Sequence, residues 1–226
     1  METYIIDADN IDRDLFFYNL TRNSNDFSML PVFELDRIAQ KIRNILKKHG
    51  SRKDIILKHN EIKEAFFSPF KPQLKTVQVF LSHSHADKNK ALEVKDYLEN
   101  QTKRKVFIDS LFWDYKDDVL NKLAEYDDIS RIKDAFTLIL RESLQDMIEK
   151  CPYFVFLQSN NSVPNQGLSR ITYSAWIYEE LKIAHSISES RLIPMMESMQ
   201  VFHDISPFLK SFETITLSEL SRMINS

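Results

Sequence analysis

The segment from residue 77 to residue 98, VQVFLSHSHADKNKALEVKDYL, is typical of a buried β-strand that passes through a polar elbow into an amphipathic helix. Residues 77–81 form a short β-favouring apolar run. Ser84 and Asp87, three residues apart, resemble a capping box with Asp in place of the usual Glu. Apolar residues then recur at helical spacing between 91 and 98. Because open α/β sheets bind ligands at the carboxyl ends of their strands, this elbow is the first candidate site.

The chain after residue 76 repeats this alternation of strand and helix. Such alternation predicts an α/β fold, with a parallel sheet flanked by helices. The predicted strands cover residues 77–82, 105–109, 153–158, 192–196 and 213–216, and the predicted helices lie near 86–101, 134–150, 173–188 and 218–224.

The residues before this region have a helical pattern instead. Apolar side chains between positions 35 and 46 form one stripe, and His49-Gly50 is a plausible helix stop. A second helical segment follows over residues 53–67, and the prolines in Ser68-Pro-Phe-Lys-Pro72 then break the pattern. We therefore expect an N-terminal helical segment and linker over residues 1–72, and an α/β domain over residues 73–226.

The composition excludes several classes of protein. The net charge of −3 and the pI near 6.1 give no electrostatic reason to expect nucleic acid or an anionic membrane as partner. The single cysteine, Cys151, excludes an internal disulfide and suits a reducing compartment. No apolar run reaches the roughly 18 residues that span a bilayer, and the acidic N-terminus is unlike a signal peptide. The expected location is the cytoplasm.

Glycine is too scarce for a phosphate-binding loop. Only Gly50 and Gly167 occur in the chain. Dinucleotide-binding and Walker A loops need several glycines so that the backbone approaches the phosphates, and the GxSxG nucleophile elbow is also absent. A nucleotide here would have to be held by side chains and helix ends.

The polar elbow supports a metal hypothesis. His83, His85 and Asp87 spell H-x-H-x-D, which resembles the opening of the zinc motif of metallo-β-lactamase-fold hydrolases. That family continues with a second histidine directly after the aspartate, whereas Lys88 stands here, and a cation is a poor neighbour for a dication. Metal-dependent hydrolysis is therefore the least favoured interpretation.

A carboxylate in the helix predicted over 173–188 is the second candidate. On a helix, Glu180 shares a face with the apolar side chains of Trp176, Ile183 and Ile187. Burying an unpaired charge is expensive, so a carboxylate in such a stripe is usually paired, protonated or functional.

Two segments of the chain together resemble the Toll/interleukin-1 receptor homology (TIR) domain. VFLSHSHADKNKALEVKDYLE followed by KVFID is similar to the opening of bacterial TIR domains, with a strand, a Ser-His elbow, a turn ending in Asp-Lys and a second strand ending in Asp. The strand over Tyr153–Ser159 and the later helix with Glu180 four residues after Trp176 are similar to TIR domains that consume NAD. The chain departs from that pattern at residues 110–133, where a longer charged stretch replaces a short glycine-containing loop.

The resemblance implies a flavodoxin-like sheet and an NAD glycohydrolase or cyclase, with NAD as substrate and no other cofactor. It implies a homo-oligomer formed through TIR–TIR contacts, and a role in prokaryotic anti-phage signalling in which the nucleotide product acts on a downstream effector. Glu180 is then the catalytic residue. The expected substrate-binding residues are Ser82, His83, Ser84, Asp109, Trp113 and Trp176.

A non-catalytic TIR interaction module remains the alternative. In that case the N-terminal helical segment is the partner-binding or oligomerising element. The absence of a glycine-containing loop after Asp109 allows this interpretation, whereas Glu180 favours the enzyme.

Overall fold

The computed structural model describes residues 1–11, 26–49, 59–68, 71, 75–125, 130–164, 170–188 and 203–226. Its strands are β1 Glu2–Asp7, β2 Val77–Ser82, β3 Lys105–Ile108, β4 Tyr153–Gln158, β5 Ile171–Thr172, β6 His203–Asp204 and β7 Glu213–Thr214. Its helices are α1 Asp26–His49, α2 His59–Phe67, α3 Lys88–Thr102, α4 Ser110–Ala124, α5 Ser130–Lys150, α6 Ala175–Ser188, α7 Ser206–Leu209 and α8 Leu217–Asn225, and a single 3₁₀ turn spans His85–Asp87.

Five strands form one parallel sheet in the order β3-β2-β4-β1-β7. Strands buried on both faces are built from continuous apolar runs rather than alternating ones, and β4 (YFVFLQ) fits this pattern, with its four central residues buried. Phe80 of β2 stacks on Phe154 of β4 with ring centroids 5.5 Å apart. The predicted α/β fold with a helix-flanked parallel sheet is confirmed, and its architecture is consistent with a flavodoxin-like fold.

The helical structure predicted from the start of the chain is wrong at Glu2–Asp7, which forms β1. Tyr4, Ile5 and Ile6 are buried between β4 and β7, and β-branched and aromatic side chains favour this environment. In a flavodoxin-like sheet of order 2-1-3-4-5, this position belongs to the fourth strand of the repeat. The strand predicted over 192–196 lies outside the described residues. Between the two, α1 agrees with the predicted helical stripe and α2 with the later part of the second predicted helix, whose residues 53–58 lie outside the described ranges.

The chain divides into two compact units. The first comprises Met1–Ser24, Thr76–Asp109 and Leu144–Ser226, and it contains the sheet. The second comprises Asn25–Lys75 and Ser110–Ser143. The charged stretch at 110–133 thus contributes its own helix, α4, to the second unit. None of the helices in the described ranges is long and apolar enough to cross a membrane.

The second unit has its own aromatic core. Phe66 of α2 packs against Tyr115 of α4 with ring centroids 4.8 Å apart, and against Phe136 of α5 at 5.6 Å. All three side chains are buried. Aromatic pairs at these separations add to the stabilisation gained by burying their apolar area.

Candidate functional site

The elbow after β2 buries several of its polar side chains. Ser82, the last residue of β2, is fully buried, and His83 is 3% exposed. Ser84 is half-buried and precedes the 3₁₀ turn that leads into α3. Its side chain makes no capping hydrogen bond to the described backbone, so the predicted capping box is wrong. The backbone closes this turn, with the Asp87 amide donating to the Ser84 carbonyl at 2.8 Å.

Asp87 joins the ends of two neighbouring strands. Its carboxylate is buried and accepts hydrogen bonds from the Ser159 hydroxyl and from the Asn161 side-chain amide, the latter at 2.8 Å. Both partners follow β4, whereas Asp87 follows β2. The sequence pattern assigns Asp87 to a capping box or to a metal motif because its true partners are more than 70 positions away. The only local signal was the Ser-Asn-Asn-Ser run at the end of the β4 segment.

The loop after β1 extends this polar network. Asp9 forms an ion pair with Lys90 of α3, with 3.1 Å between Oδ1 and Nζ, and accepts a hydrogen bond from the Asn160 backbone amide at 2.8 Å. Lys90 also donates to the Ala8 carbonyl at 3.3 Å. Polar contacts therefore tie together the carboxyl ends of β1, β2 and β4, the edge at which open α/β sheets bind ligands.

Glu180 lies on the buried face of α6, as its sequence context indicated. It is 1% exposed, and the face around it is formed by Ile177, Leu181 and Ala184 at helical spacing. Trp176, which the sequence placed on the same face, is half-buried at its margin. The buried apolar stripe lies one position later along the helix than the sequence pattern predicts, because the pattern alone does not show which side of the helix packs against the sheet.

The Ser82 hydroxyl donates a hydrogen bond to Oε2 of Glu180 at 2.5 Å. Both residues are buried, so this contact fixes the carboxyl group of α6 at the carboxyl end of β2. Two residues that the sequence analysis named separately are thereby brought together, 98 positions apart.

Asp109, directly after β3, adds a second carboxyl group to the site. The pKa of Glu180 is raised well above its ordinary value, first by burial, then by the charge of Asp109 and by a hydrogen bond between the two side chains. The hydrogen bond from Ser82 acts in the opposite direction. Oε1 of Glu180 meets no hydrogen-bond donor among the described residues. Burial and the neighbouring charge therefore favour the protonated form of Glu180.

His83 lies beside Asp109. Its Nδ1 lies 3.3 Å from Oδ1 of Asp109, within ion-pair distance. Burial lowers the pKa of His83, while Asp109, the Leu81 carbonyl and Asp87 act to raise it. Burial prevails, so the imidazole is neutral at physiological pH. The 3.3 Å approach lacks hydrogen-bond alignment, and neither ring nitrogen makes a well-aligned hydrogen bond to the described groups.

The structure thus gathers four of the predicted site residues, Ser82, His83, Asp109 and Glu180, at one end of the sheet. Trp113 lies in α4 of the second unit, and its side chain is outside the described part of the structure.

The histidines of the H-x-H-x-D pattern differ in exposure, since His83 is buried and His85 is exposed. Within the described ranges, no group of three or more His, Cys, Asp or Glu side chains is placed to hold a metal ion.

The arrangement is chemically specific in its charge. It combines two carboxyl groups, of which Glu180 has a raised pKa, with an imidazole of lowered pKa and a hydroxyl, in a nearly dry environment where electrostatic interactions are stronger than in water. A buried carboxyl with a raised pKa beside a second carboxyl is a candidate functional group. No protein-family model, curated protein or solved structure matches the chain.

Proposed function

We propose that the chain is a TIR-type NAD glycohydrolase or cyclase in which Glu180 acts on the ribose next to the nicotinamide ring. The observation that carries the proposal is the burial of the Glu180 carboxyl beside Asp109 and Ser82, at the carboxyl ends of parallel strands. A carboxyl group is costly to bury, and the surrounding residues hold it at the edge where this class of sheet binds nucleotides.

The reaction requires stabilisation of a sugar cation. When the nicotinamide–ribose bond breaks, its electron pair goes to the ring nitrogen, and nicotinamide leaves as a neutral molecule. The ribose is left as an oxocarbenium-like cation, as in glycoside hydrolysis. An ionised Glu180 beside this carbon would stabilise the developing charge, and water or the adenine base would then complete the linear or cyclic product.

The neighbouring residues have distinct tasks in this scheme. Ser82 fixes the orientation of the Glu180 carboxyl through its hydrogen bond. The half-buried Ser84 and the nearby start of α3 are suited to the diphosphate, since backbone amides at a helix N-terminus favour anions. Trp176 lies one helical turn before Glu180 and would limit the access of water to it.

Catalysis requires that the substrate reach the buried Glu180 carboxyl. Glu180 is 1% exposed, so a substrate reaches it only after covering side chains move aside. Self-association of the chain is the event that we propose opens the site. In a bacterial cell, such an enzyme would deplete NAD or release a signalling nucleotide during phage infection.

A non-catalytic interaction module is the second candidate. The observation that favours it is the same burial, since Ser82 is 0% exposed and Glu180 only 1%. In that case the carboxyl pair is a structural feature of the core, and the chain acts through a surface that binds a partner.

Nicotinamide release separates the two candidates. The purified full chain at high concentration, with and without a crowding agent, is incubated with NAD, and nicotinamide is measured by chromatography. We expect release by the unmodified protein and its loss in Glu180→Gln. The matched control is Glu179→Gln, which changes the adjacent, half-buried carboxylate of the same helix. Equal release by both variants would show that the active site lies elsewhere. If the unmodified protein releases no nicotinamide at any concentration, the interaction module is the candidate that remains.

A further inference from the structure

Three consecutive residues after β4, which we call the donor loop (residues 159–161), hold two carboxylates of the chain itself. Ser159 donates its hydroxyl to the carboxylate of Asp87, and Asn161 donates its side-chain amide to the same group at 2.8 Å. The backbone amide of Asn160, between them in the chain, donates to Oδ2 of Asp9 at 2.8 Å. The two carboxylates come from separate strand ends, since Asp9 follows β1 and Asp87 follows β2.

The Asp87 carboxylate is buried without a cation beside it. It is 3% exposed, and its hydrogen-bond partners in the described structure are a neutral hydroxyl and a neutral amide. A buried carboxylate is normally paired with a positive charge, because its removal from water is costly. The donors around it are fixed in place, since Oγ of Ser159 accepts the backbone amides of Asn161 and Ser162 at 3.1 and 3.2 Å. The donor loop is therefore a preorganised binding surface for an anion.

Lys90 adds a positive charge to this surface. Its ammonium lies 3.1 Å from Oδ1 of Asp9 and donates to the Ala8 carbonyl at 3.3 Å. The Lys90 side chain is 42% exposed and that of Asp9 is 29% exposed, so water reaches this ion pair. Ion pairs in contact with solvent contribute little to stability, so an incoming anion exchanges with the Asp9 carboxylate at small cost.

We propose that the donor loop and Lys90 form a diphosphate subsite, which Asp9 and Asp87 occupy until a dinucleotide displaces them. This inference rests on the proposed cleavage of NAD and specifies where its diphosphate binds and what closes that position beforehand. In the sheet, β3 lies on one side of β2 and β4 on the other, so the crevice between β2 and β4 is the topological switch point. Ligands of open α/β sheets bind at this point, outside the carboxyl ends of the strands.

The exchange keeps the charge of the subsite constant. The diphosphate of a dinucleotide carries one negative charge on each of its two phosphoryl groups, and it replaces two carboxylates. The hydroxyl, the amides and the ammonium keep a negatively charged acceptor, while the released carboxylates turn to water. Recognition depends on the diphosphate, so a nucleoside that lacks phosphate gains nothing from the subsite.

Calorimetry of the full chain with ADP-ribose tests the displacement, because this ligand has the diphosphate and no nicotinamide to lose. We expect Asp9→Asn and Asp87→Asn each to lower the Kd about tenfold, since a neutral amide does not repel the diphosphate. Lys90→Ala should raise the Kd about tenfold by removing a charge-assisted contact. The matched controls are Asp117→Asn and Lys150→Ala, which change exposed side chains outside the subsite and should leave the Kd unaltered.

Nuclear magnetic resonance of the unmodified protein locates the ligand, and it needs no variant to fold. ADP-ribose should shift the signals of the Asn160 backbone amide and the Asn161 side-chain amide. The side-chain amide of Gln145, which donates to Glu149 on α5, should not move. Inorganic pyrophosphate should compete with ADP-ribose for the subsite, whereas adenosine should not.

The inference is overturned if ADP-ribose does not bind, if it binds without shifting the signals of the donor loop, or if Asp9→Asn leaves its Kd unchanged. Binding of pyrophosphate without binding of ADP-ribose also overturns it, because the subsite then serves another anion. Nicotinamide release is scored separately. Tighter ADP-ribose binding by Asp9→Asn without any release contradicts the enzyme and supports the subsite, whereas release with an unaltered Kd in that variant does the reverse.

Discussion

The Ser82 hydroxyl at the end of β2 donates a hydrogen bond to the carboxyl of Glu180 on α6. This contact connects β2, the strand of the strand–elbow–helix segment, with the helix that carries the candidate catalytic residue. Because both side chains are buried, neither has water as a substitute partner. The relationship therefore bears on the stability of the fold as well as on the protonation of Glu180.

Replacing Ser82 with alanine removes a donor from a buried carboxyl. We expect Ser82→Ala to lower the free energy of unfolding by about 1–3 kcal/mol, the usual cost of leaving a buried polar atom unsatisfied. Urea unfolding monitored by circular dichroism measures this change. Ser84→Ala is the matched control, since that hydroxyl is half-buried and makes no capping bond to the described backbone, and its effect should stay within about 0.5 kcal/mol. A similar loss in both variants would contradict the contact.

Replacing Glu180 with glutamine should change how stability depends on pH. The pKa of Glu180 is raised in the folded state above its ordinary value of 4.5, so between these two values the folded protein holds a proton that the unfolded chain releases. The contribution of Glu180 to stability is thus fully present below pH 4.5 and is lost as the pH rises through the folded pKa. Glutamine does not titrate, so the stability of Glu180→Gln relative to the unmodified protein should increase with pH over this interval. Denaturant midpoints at several pH values test it, and a constant difference would show that Glu180 is ionised in the folded protein.

Asp87 should be a stabilising residue, although the sequence pattern suggests only a part in a capping box or in a metal site. Asp87→Ala leaves the hydroxyl of Ser159 and the amide of Asn161 without this acceptor, and we expect a loss of about 2–4 kcal/mol because hydrogen bonds to charged groups are the stronger ones. Asp117→Ala, at an exposed position, should cost less than about 0.5 kcal/mol. Chemical unfolding of the two variants side by side measures the difference, and equal stabilities would refute the link between β2 and β4.

The N-terminal strand should be essential to the sheet. Ile6→Ala in β1 removes a side chain that is 2% exposed, and we expect a loss of about 2–5 kcal/mol through lost burial and the cavity that remains. Leu138→Ala in α5 changes a side chain that is 50% exposed and should cost less than about 1 kcal/mol. Thermal unfolding compares the two. If Ile6→Ala is as mild as Leu138→Ala, then β1 does not lie in the core.

The local patterns that predicted the fold correctly are those in which one segment carries its own signal. The apolar runs of β2, β3 and β4 lie within the predicted strands, and α3, α5 and α6 agree with the predicted helices to within a few residues at each end. Glu180 was singled out because a carboxylate in an apolar stripe is anomalous in any tertiary setting.

The sequence by itself determined the alternation of elements and the burial of Glu180, because periodicity and hydrophobicity are local properties. The tertiary structure decided the rest. It placed Glu2–Asp7 between β4 and β7, where the short run Tyr-Ile-Ile gave no local indication of its neighbours. It also made Asp87 a link between the ends of β2 and β4, which its place in a capping-box pattern does not predict. It brought Asp109 close enough to act on the pKa of Glu180. Each of these three features depends on contacts between residues that are distant in the chain. The pKa of Glu180 depends on such contacts as well, because burial and neighbouring charges determine it.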